Sequence, residues 1–413
     1  MESIQPGAGK MKQIYLWGAG YWADYVYEKI KGKNYRVLGV IDNDVIKQNQ
    51  EWKHGLMIYP PSYLSTSEFD YVVISPKQYS YIEKQCMEMD IPQEKIFSYW
   101  KDEKYGGILE NRSEQIYSLE EDNCNLLRRL ENAPYEYGLG KQPLMKSGEQ
   151  LLNYILEKKA SLSRYGDGEF ELMLERPRPW FQNTNKNLAD RLREIILTDV
   201  SEGIIIAIAD NFGSLDKYTE DSADGIRKYL TRAVREDIME FIDLKRDYYD
   251  AYVTRPYLIY RDKKNAIKIF DLFRRIWQNR NVILVEGRYA RIGVGNDLFS
   301  NASTVKRILC PYKNAWGKYD EIMRAVRSVA SKEDLICISL GPTATVMSYD
   351  LHKEGFQALD IGQIDTEYEW FLRKAKNRIA IPGKMVAEVR GDYVNNVLTD
   401  RTYYMQIVGE IDG

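Results

Sequence analysis

Short, mostly apolar segments alternate with helical segments throughout residues 142–413 of this 413-residue chain. Four of these segments lack the polar alternation of a strand exposed on one face: Ile204–Ala209, Val282–Val285, Leu335–Ser339 and Ala358–Ile361. Such segments are typical of strands buried on both faces, and helices between them allow the strands to run parallel. The pattern therefore predicts an α/β domain with a largely parallel sheet and helices on both faces.

A second, smaller α/β unit is predicted near the N-terminus. A strand at Gln13–Trp17 leads into Gly18-Ala19-Gly20-Tyr21-Trp22-Ala23, then a helix, and a second strand ends at Asp42. This order matches the Gly-x-Gly-x-x-Ala fingerprint of Rossmann-like units, in which an acidic residue binds ribose. Two interpretations stay open: a nucleotide bound at the helix N-terminus, or glycines that only allow a tight turn. The unit is too short for a complete dinucleotide site, so hydride transfer is not expected.

The domain prediction has three parts. Residues 11–105 form the small Rossmann-like domain, 106–141 a helical connector and linker, and 142–413 the larger domain. The amphipathic stretch Ser113–Arg129 predicts a connector helix or a dimer contact, and the second alternative would make the protein a homo-oligomer. Prolines and glycines between Pro134 and Pro143 mark the predicted linker.

Composition excludes several classes of function. The net charge of −3 and the pI near 5.8 give no basic field for nucleic acid. With two histidines, a Ser-His-Asp hydrolase or a histidine-rich metal centre is not expected. The four cysteines are scattered, which fits a reducing cytoplasm. Apolar runs fall far short of the roughly 20 residues that span a bilayer, so no transmembrane segment is predicted.

The segment Arg164–Phe170 carries the strongest indication of chemistry. Asp167 and Glu169 are two residues apart, and Gly166 and Gly168 flank the first of them. Two carboxylates in a loop with room for a ligand suit a hard divalent cation that also holds a diphosphate. The alternative is an ordinary acidic turn around glycine.

Polar residues directly after the buried strands are further candidates, because ligands of parallel sheets bind at the carboxyl ends of strands. Glu286 follows Val282–Val285, and the loop beyond it supplies Arg291, Gly293, Gly295, Asn296 and Asp297. Its backbone amides and Arg291 could meet phosphate or sugar. The alternative is a solvated loop in which Asp297 caps a helix at Leu298.

Two more strand ends complete the predicted site. Gly341, Pro342, Thr343 and Thr345 open a helix, which favours either an anion cradle or simple helix initiation. Asp365 and Glu367 follow Ala358–Ile361, and we expect both to face the cleft, as a base or second metal contact. Arg255 is a candidate cationic anchor.

Six segments in order along the chain resemble GT-D-type glycosyltransferases, a family first catalogued as a domain of unknown function. They are residues 163–170, 285–287, 291–299, 309–311, 339–344 and 360–365, within a likeness that covers about Ser147 to Asp400. The resemblance implies a GT-D fold and transfer of a hexose from a UDP-sugar. It also implies Mn²⁺, or Mg²⁺, held through an Asp-x-Glu motif that is here Asp167-Gly168-Glu169. The chain departs from the family at Gln363, where histidine is common.

The expected activity is metal-dependent transfer from a UDP-sugar, UDP-glucose first, to a hydroxyl of a glycan, glycoprotein or polysaccharide. Arg164, Gly166 and Arg291 would contact phosphate, and Gly341–Thr345 would cradle phosphate or uridine. Glu286 or Asp365 would act as general base. A non-catalytic protein that binds a nucleotide or nucleotide sugar through its N-terminal unit is the competing hypothesis. Hydrolysis of the nucleotide sugar without an acceptor is a third.

Overall fold

The computed structural model describes residues 11–31, 34–77, 79–100, 112–176, 182–198, 203–386, 389 and 400–412, with only the backbone of 112–120. Contacts between Cα atoms divide the chain into two compact units, and the boundary lies between Cys124 and Asn125. This boundary falls within the segment 106–141.

The first unit is a six-stranded sheet with two α-helices among its described residues. Its elements are β1 (Lys12–Trp17), α1 (Tyr21–Ile30), β2 (Tyr35–Ile41), β3 (Glu51–Trp52), β4 (Leu56–Tyr59), β5 (Tyr71–Ile74), α2 (Ser80–Glu88) and β6 (Ile96–Ser98). The strand order is β3-β4-β2-β1-β5-β6, and only the β3–β4 pair is antiparallel. In β1, Ile14 and Leu16 pack into one apolar cluster, and Tyr15 and Trp17 pack into another. A strand buried on both faces explains its apolar sequence.

The connector helix α3 (Arg112–Glu136) is longer than predicted and contains Pro134, which the sequence had suggested as the start of the linker. The chain leaves the helix only near Gly138, which has a φ of +72°. Leu126, Leu127 and Leu130 are exposed. The dimer contact stays a prediction.

The second unit contains the remaining strands and helices of the described chain. Its strands are β7 (Leu144–Lys146), β8 (Ser161–Tyr165), β9 (Ile204–Ile208), β10 (Asp247–Asp250), β11 (Asn281–Gly287), β12 (Thr304–Cys310), β13 (Leu335–Ser339), β14 (Gln357–Asp360) and β15 (Ile407–Glu410). Its helices are α4 (Gly148–Lys158), α5 (Asp167–Met173), α6 (Lys186–Leu197), α7 (Glu220–Tyr229), α8 (Arg232–Met239), α9 (Lys264–Trp277), α10 (Tyr319–Val329), α11 (Pro342–Lys353), α12 (Ile364–Leu372) and α13 (Arg401–Gln406).

The nine strands form one parallel sheet in the order β15-β12-β11-β13-β14-β8-β9-β10-β7. From β8 the chain runs outward through β9 and β10 in one direction, and β14 and β13 lie on the other side. The strand order therefore reverses between β8 and β14. Ligands of open parallel sheets bind at such a point, beyond the carboxyl ends of the strands.

Both faces of the sheet are buried, as predicted. In β9, Ile205 and Ala207 join one core cluster, whereas Ile204, Ile206 and Ile208 join the cluster on the opposite face. This two-sided burial explains why the strand is apolar at every position. None of the described helices is long and apolar enough to cross a membrane.

Three local predictions were wrong. Arg164 and Tyr165 belong to strand β8 rather than to a loop, and Asp167 already begins a helix. No helix begins at Leu298 in the described chain: residues 297–303 form turns, and Asn296 Oδ1 accepts the Leu298 amide at 3.0 Å. The strands β7, β10, β12 and β15 were not predicted, because they are short or lie at edges with polar residues among the apolar ones.

Candidate active site

A cleft of about 470 Å³ lies at the carboxyl edge of the large sheet, where the strand order reverses. Its walls come from residues within six strand-end segments: 164–169, 251–255, 287–292, 311–315, 339–342 and 362–366. Its volume is in the range typical of pockets that enclose small ligands.

The Asp-x-Glu motif lies on this cleft. Asp167 is the first residue of α5, and Glu169 is its third; both are partly exposed. Glu169 Oε2 accepts the Gly166 amide at 2.8 Å, which closes the first turn of the helix. The sequence folds this way because Gly166, in an extended conformation, ends β8 and leaves its amide for a capping carboxylate. The two carboxylates therefore have different environments.

Burial raises the pKa of Glu169 to about 7, and the Asp360 carboxylate adds to the rise. The hydrogen bond from the Gly166 amide acts in the opposite direction. Glu169 is therefore a carboxyl that gains or loses its proton near neutral pH when no cation lies beside it.

Arg164 ties β8 to the loop after β14. Its Nη2 donates to Asp360 Oδ1 at 2.8 Å, its Nε to the Asp360 carbonyl at 2.9 Å and its Nη1 to the Ala251 carbonyl at 3.1 Å. These contacts use three of the five N–H donors of the guanidinium. Burial raises the pKa of Asp360, and Arg164 opposes that rise. Arg164 lines the cleft, but its hydrogen bonds to Asp360 and Ala251 connect segments of the cleft wall to one another.

Asp365 also lines the cleft, but its carboxylate is engaged by three donors. Oδ1 accepts the Gly293 amide and Asn296 Nδ2, both at 2.8 Å, and Oδ2 accepts Lys384 Nζ at 2.6 Å. Lys384 also lies 3.0 Å from Glu369 Oε1. Both carboxylate oxygens are therefore engaged by groups of the protein. The structure makes Asp365 an anchor for the loop at 293–296.

Glu286 does not reach the cleft. It is fully buried, with Oε1 2.5 Å from Arg307 Nη1 and Oε2 accepting the Ile292 amide at 2.7 Å. Burial raises the pKa of Glu286, and the Arg307 charge opposes that rise. Glu286 fixes the start of the loop after β11.

The other residues predicted from that loop are placed behind the cleft wall. Asp297 accepts Tyr368 Oη at 2.7 Å and Arg274 Nη1 at 2.6 Å, and these contacts lower its pKa. Asn296 Nδ2 also donates to Glu369 Oε1 at 2.8 Å. Arg291 is buried, with Nη1 donating to the Gly383 carbonyl at 2.7 Å. Gly293 and Gly295 have positive φ, which suits glycine.

The structure places only the first two residues of the predicted cradle at α11 on the cleft. Gly341 has a φ of +56° and lines the cleft together with Pro342. Thr343 and Thr345 are fully buried; Thr345 Oγ1 donates to the Arg164 carbonyl at 2.9 Å. The threonine hydroxyls therefore bind protein groups, while the helix start itself faces the cleft.

Several residues line the cleft although little in the sequence indicated that they would. Arg378 and Lys313 line the cleft with Arg255, and Tyr312 is exposed at its edge. Tyr312 and Lys313 follow β12, a strand that the sequence did not indicate. These three basic side chains line the same cleft as the carboxylates of Asp167 and Glu169.

Asp167 and Glu169 fit a divalent cation only if the substrate completes its coordination. No group of three or more His, Cys, Asp or Glu side chains that could hold a metal exists in the described chain. Mg²⁺ and similar ions are commonly held by one or two carboxylates together with substrate phosphates and water. The donor set therefore fits a cation that arrives with a diphosphate.

The fingerprint of the first unit has an unexpected contact. Asp42 Oδ2 accepts the Ala19 amide at 2.6 Å, and Oδ1 accepts the Asp44 amide at 2.9 Å. The acidic residue thus caps the glycine turn itself. Its negative charge lies where the diphosphate of a bound dinucleotide would approach.

An open parallel sheet with acidic and basic side chains in a cleft at its reversal point defines an α/β fold that binds its ligand beyond the carboxyl ends of the strands. The family model for the glycosyltransferase GT-D fold matches residues 162–389. The chain therefore belongs to the GT-D glycosyltransferase family. Residues 10–97 match a second family model, that of the C2185-like N-terminal domain.

Relatives and a solved structure agree with this assignment. The chain is 38% identical over 273 residues to a Streptococcus gordonii protein named probable glycosyl transferase Gly, covering 66% of this chain and 39% of that protein. It is 34% identical over 270 residues to glycosyltransferase GlyD of Streptococcus pneumoniae serotype 4 (strain ATCC BAA-334 / TIGR4), covering 65% and 32%. The chain thus spans less than half the length of these two relatives.

The solved structure of the domain of unknown function 1792, described as having a distinct glycosyltransferase fold, superposes with a TM-score of 0.63. It is 33% identical to this chain, and the match covers 70% of this chain and all of that one. The likeness therefore extends over the whole of that domain.

Proposed function

We propose that this protein transfers a hexose from a UDP-sugar, with UDP-glucose the first candidate, to a hydroxyl of a glycan, glycoprotein or polysaccharide. The observation that carries the proposal is the position of Asp167 at the reversal point of the sheet, in a cleft with Arg255, Lys313 and Arg378 on its walls. A carboxylate beside several basic groups suits a cation and a diphosphate bound together.

Asp167 and Glu169 would hold Mn²⁺ or Mg²⁺. When bound, such an ion supplies positive charge that stabilises a diphosphate leaving group. The protein's own basic groups act in the same direction, because charge develops on the diphosphate as its bond to the sugar breaks. Arg164 keeps β8 and the loop after β14 together, so that both carboxylates stay at the cleft.

Of the two predicted bases, Asp365 alone lines the cleft, and its contacts with Lys384, Asn296 and Gly293 argue against proton abstraction. We therefore propose a positioning role for both Asp365 and Glu286. A cytoplasmic site of action is part of the proposal, and the absence of disulfides among Cys86, Cys124, Cys310 and Cys337 supports it.

Calorimetric titration tests the proposal. UDP, UDP-glucose, UDP-galactose, UDP-N-acetylglucosamine and NAD are titrated with and without Mn²⁺. We expect Mn²⁺-dependent binding of UDP species that is lost in Asp167→Asn. Binding of NAD alone, or nucleotide binding indifferent to Mn²⁺ and to Asp167, would contradict the proposal.

Product analysis separates transfer from hydrolysis. With a hydroxyl acceptor, UDP release and glycosylated product should rise together. Release of free hexose at the full rate without acceptor would indicate a nucleotide-sugar hydrolase instead.

A further inference from the structure

Two buried oxygen atoms in the cleft wall have no hydrogen-bond partner within the described chain. They are Thr254 Oγ1 and Gln363 Oε1, and both residues line the cleft. Thr254 is fully buried. Polar atoms withdrawn from water without a partner destabilise a folded protein, so each calls for an explanation.

Thr254 and the residue before Gln363 lie at one corner of the cleft. Thr254 follows β10, and Gln363 follows Gly362 in the loop after β14. A Cβ on Gly362 would stand 3.0 Å from Thr254 Oγ1 and 2.1 Å from Arg164 Nη2. The threonine hydroxyl and the arginine thus approach the same point beside Gln363.

This corner lies close to the Asp-x-Glu motif. Asp167 and Glu169 line the same cleft as Thr254 and Gln363, and Arg164 lies only three residues before Asp167 in the chain. A sugar attached to a diphosphate near Asp167 would therefore lie within reach of the corner.

The chemistry of the three side chains selects the kind of ligand. The Gln363 amide oxygen only accepts hydrogen bonds, and ionised phosphate oxygens have no proton to donate to it. The Thr254 hydroxyl both donates and accepts, and the Arg164 guanidinium has two N–H donors beyond the three that bind Asp360 and Ala251. A group that both donates and accepts, such as a sugar hydroxyl, satisfies all three.

We propose that Thr254 and Gln363 recognise hydroxyl groups of the transferred sugar, with Arg164 beside them. This inference rests on the proposed transfer from a nucleotide sugar and assigns its sugar-specificity residues. Binding of the hexose would give each orphaned oxygen the partner that it lacks in the free protein.

The test compares affinity for UDP with affinity for the UDP-hexose that the wild-type protein binds best, both with Mn²⁺ and by calorimetry. In Thr254→Val and Gln363→Met, we expect UDP affinity within twofold of wild type. The affinity for the UDP-hexose should fall about five- to tenfold, as for loss of one hydrogen bond. Melting temperatures should be unchanged or higher, because each variant removes an unsatisfied polar atom.

Thr345→Val is the matched control for stability. Thr345 is as buried as Thr254, but its hydroxyl has a partner in the Arg164 carbonyl. Its removal should lower the melting temperature, in contrast to Thr254→Val.

Equal losses of UDP and UDP-hexose affinity, or no loss of either, would overturn the inference. A Gln363→Met protein that loses Mn²⁺-dependent UDP binding would assign Gln363 to the cation or the diphosphate, which also overturns it. Failure of the wild-type protein to bind any UDP species is a separate result: it would reject the donor itself.

Discussion

Lys384 Nζ lies 2.6 Å from Asp365 Oδ2 in the interior of the second unit, where both side chains are about 5% exposed. The same ammonium lies 3.0 Å from Glu369 Oε1. Lys384 thus contacts two buried carboxylates, of which Glu369 also pairs with Arg373 at 2.8 Å, and it joins the segment 381–386 to helix α12.

Lys384→Met should therefore destabilise the second unit strongly. Removing one partner of a buried ion pair costs about 3–5 kcal/mol, because a charge is left without compensation. Chemical denaturation measures the change. The double variant Lys384→Met, Asp365→Asn should recover part of the loss, and a double variant no more stable than the single one would contradict this explanation.

Asp167→Asn should reduce transfer at least about 100-fold while leaving the melting temperature close to that of wild type. The side chain is partly exposed at the cleft, so its replacement by an isosteric amide removes charge without disturbing packing. Steady-state kinetics and thermal unfolding are the measurements. Unchanged Mn²⁺-dependent turnover would reject Asp167 as a cation ligand.

Gly362→Ala should lower both stability and activity. Gly362 has a φ of +47°, and an added Cβ would stand 2.1 Å from Arg164 Nη2, closer than the atoms can approach. The expected loss is at least about 2 kcal/mol in the free energy of unfolding. Gly355→Ala is the control, because its φ is +83° but nothing lies within 4 Å of the added atom. A similar loss in both variants would show that backbone strain alone is responsible.

Stability should rise as the pH falls from 7 to 5, and Asp250 is one of two carboxyls, with Glu169, whose raised pKa contributes to this rise. Burial and the nearby Asp210 raise the pKa of Asp250 to about 6. The folded protein therefore holds this proton more tightly than the unfolded chain does. The resulting stabilisation is complete below the unfolded pKa near 4 and is lost as the pH passes 6.

Asp250→Asn should reduce the change in the free energy of unfolding between pH 5 and pH 7 by an amount on the order of 2 kcal/mol. Asp250 accepts hydrogen bonds from the Tyr252 backbone amide and the Tyr260 hydroxyl, both at 2.8 Å. The side-chain amide of the variant can still accept the first of these and contact the Tyr260 hydroxyl. Urea denaturation at pH 5 and pH 7 measures the slope. An equal slope in wild type and variant would exclude Asp250 as its source.

Gly20→Asp should leave UDP-sugar affinity unchanged. The Asp42 carboxylate already binds the glycine turn of the first unit through the Ala19 amide at 2.6 Å. A negative charge at this turn opposes a diphosphate. Loss of nucleotide binding in Gly20→Asp would instead support a nucleotide site in the N-terminal unit.

The α/β architecture was predictable because the sequence pattern of a strand depends on whether its own two faces are buried. Ile204–Ile208 is apolar at every position since both of its faces are covered, and this requires no knowledge of its neighbours. Asp167 was predictable as a ligand-facing residue because two carboxylates flanked by glycines suit a divalent cation, although strand β8 before it was not predicted.

The roles of Glu286 and Asp365 were not predictable, because their partners come from distant segments. Arg307 lies on the neighbouring strand β12, and Lys384 lies in a segment with no helical or strand pattern. A carboxylate at a strand end can face a ligand or an internal cation, and the sequence does not distinguish the two. Thr254 and Gln363 can be recognised only from the structure, because each has a buried side-chain oxygen without a hydrogen-bond partner.

Arg164 and Asp360, which meet at the reversal point of the sheet, are 196 residues apart in the chain. Strands β8 and β14 can therefore pair only after the intervening strands and helices have been synthesised. Closing so long a loop is slow compared with forming local contacts. During synthesis, the Asp-x-Glu motif leaves the ribosome long before the second wall of its cleft exists, so catalytic competence should be among the last properties that the folding chain acquires.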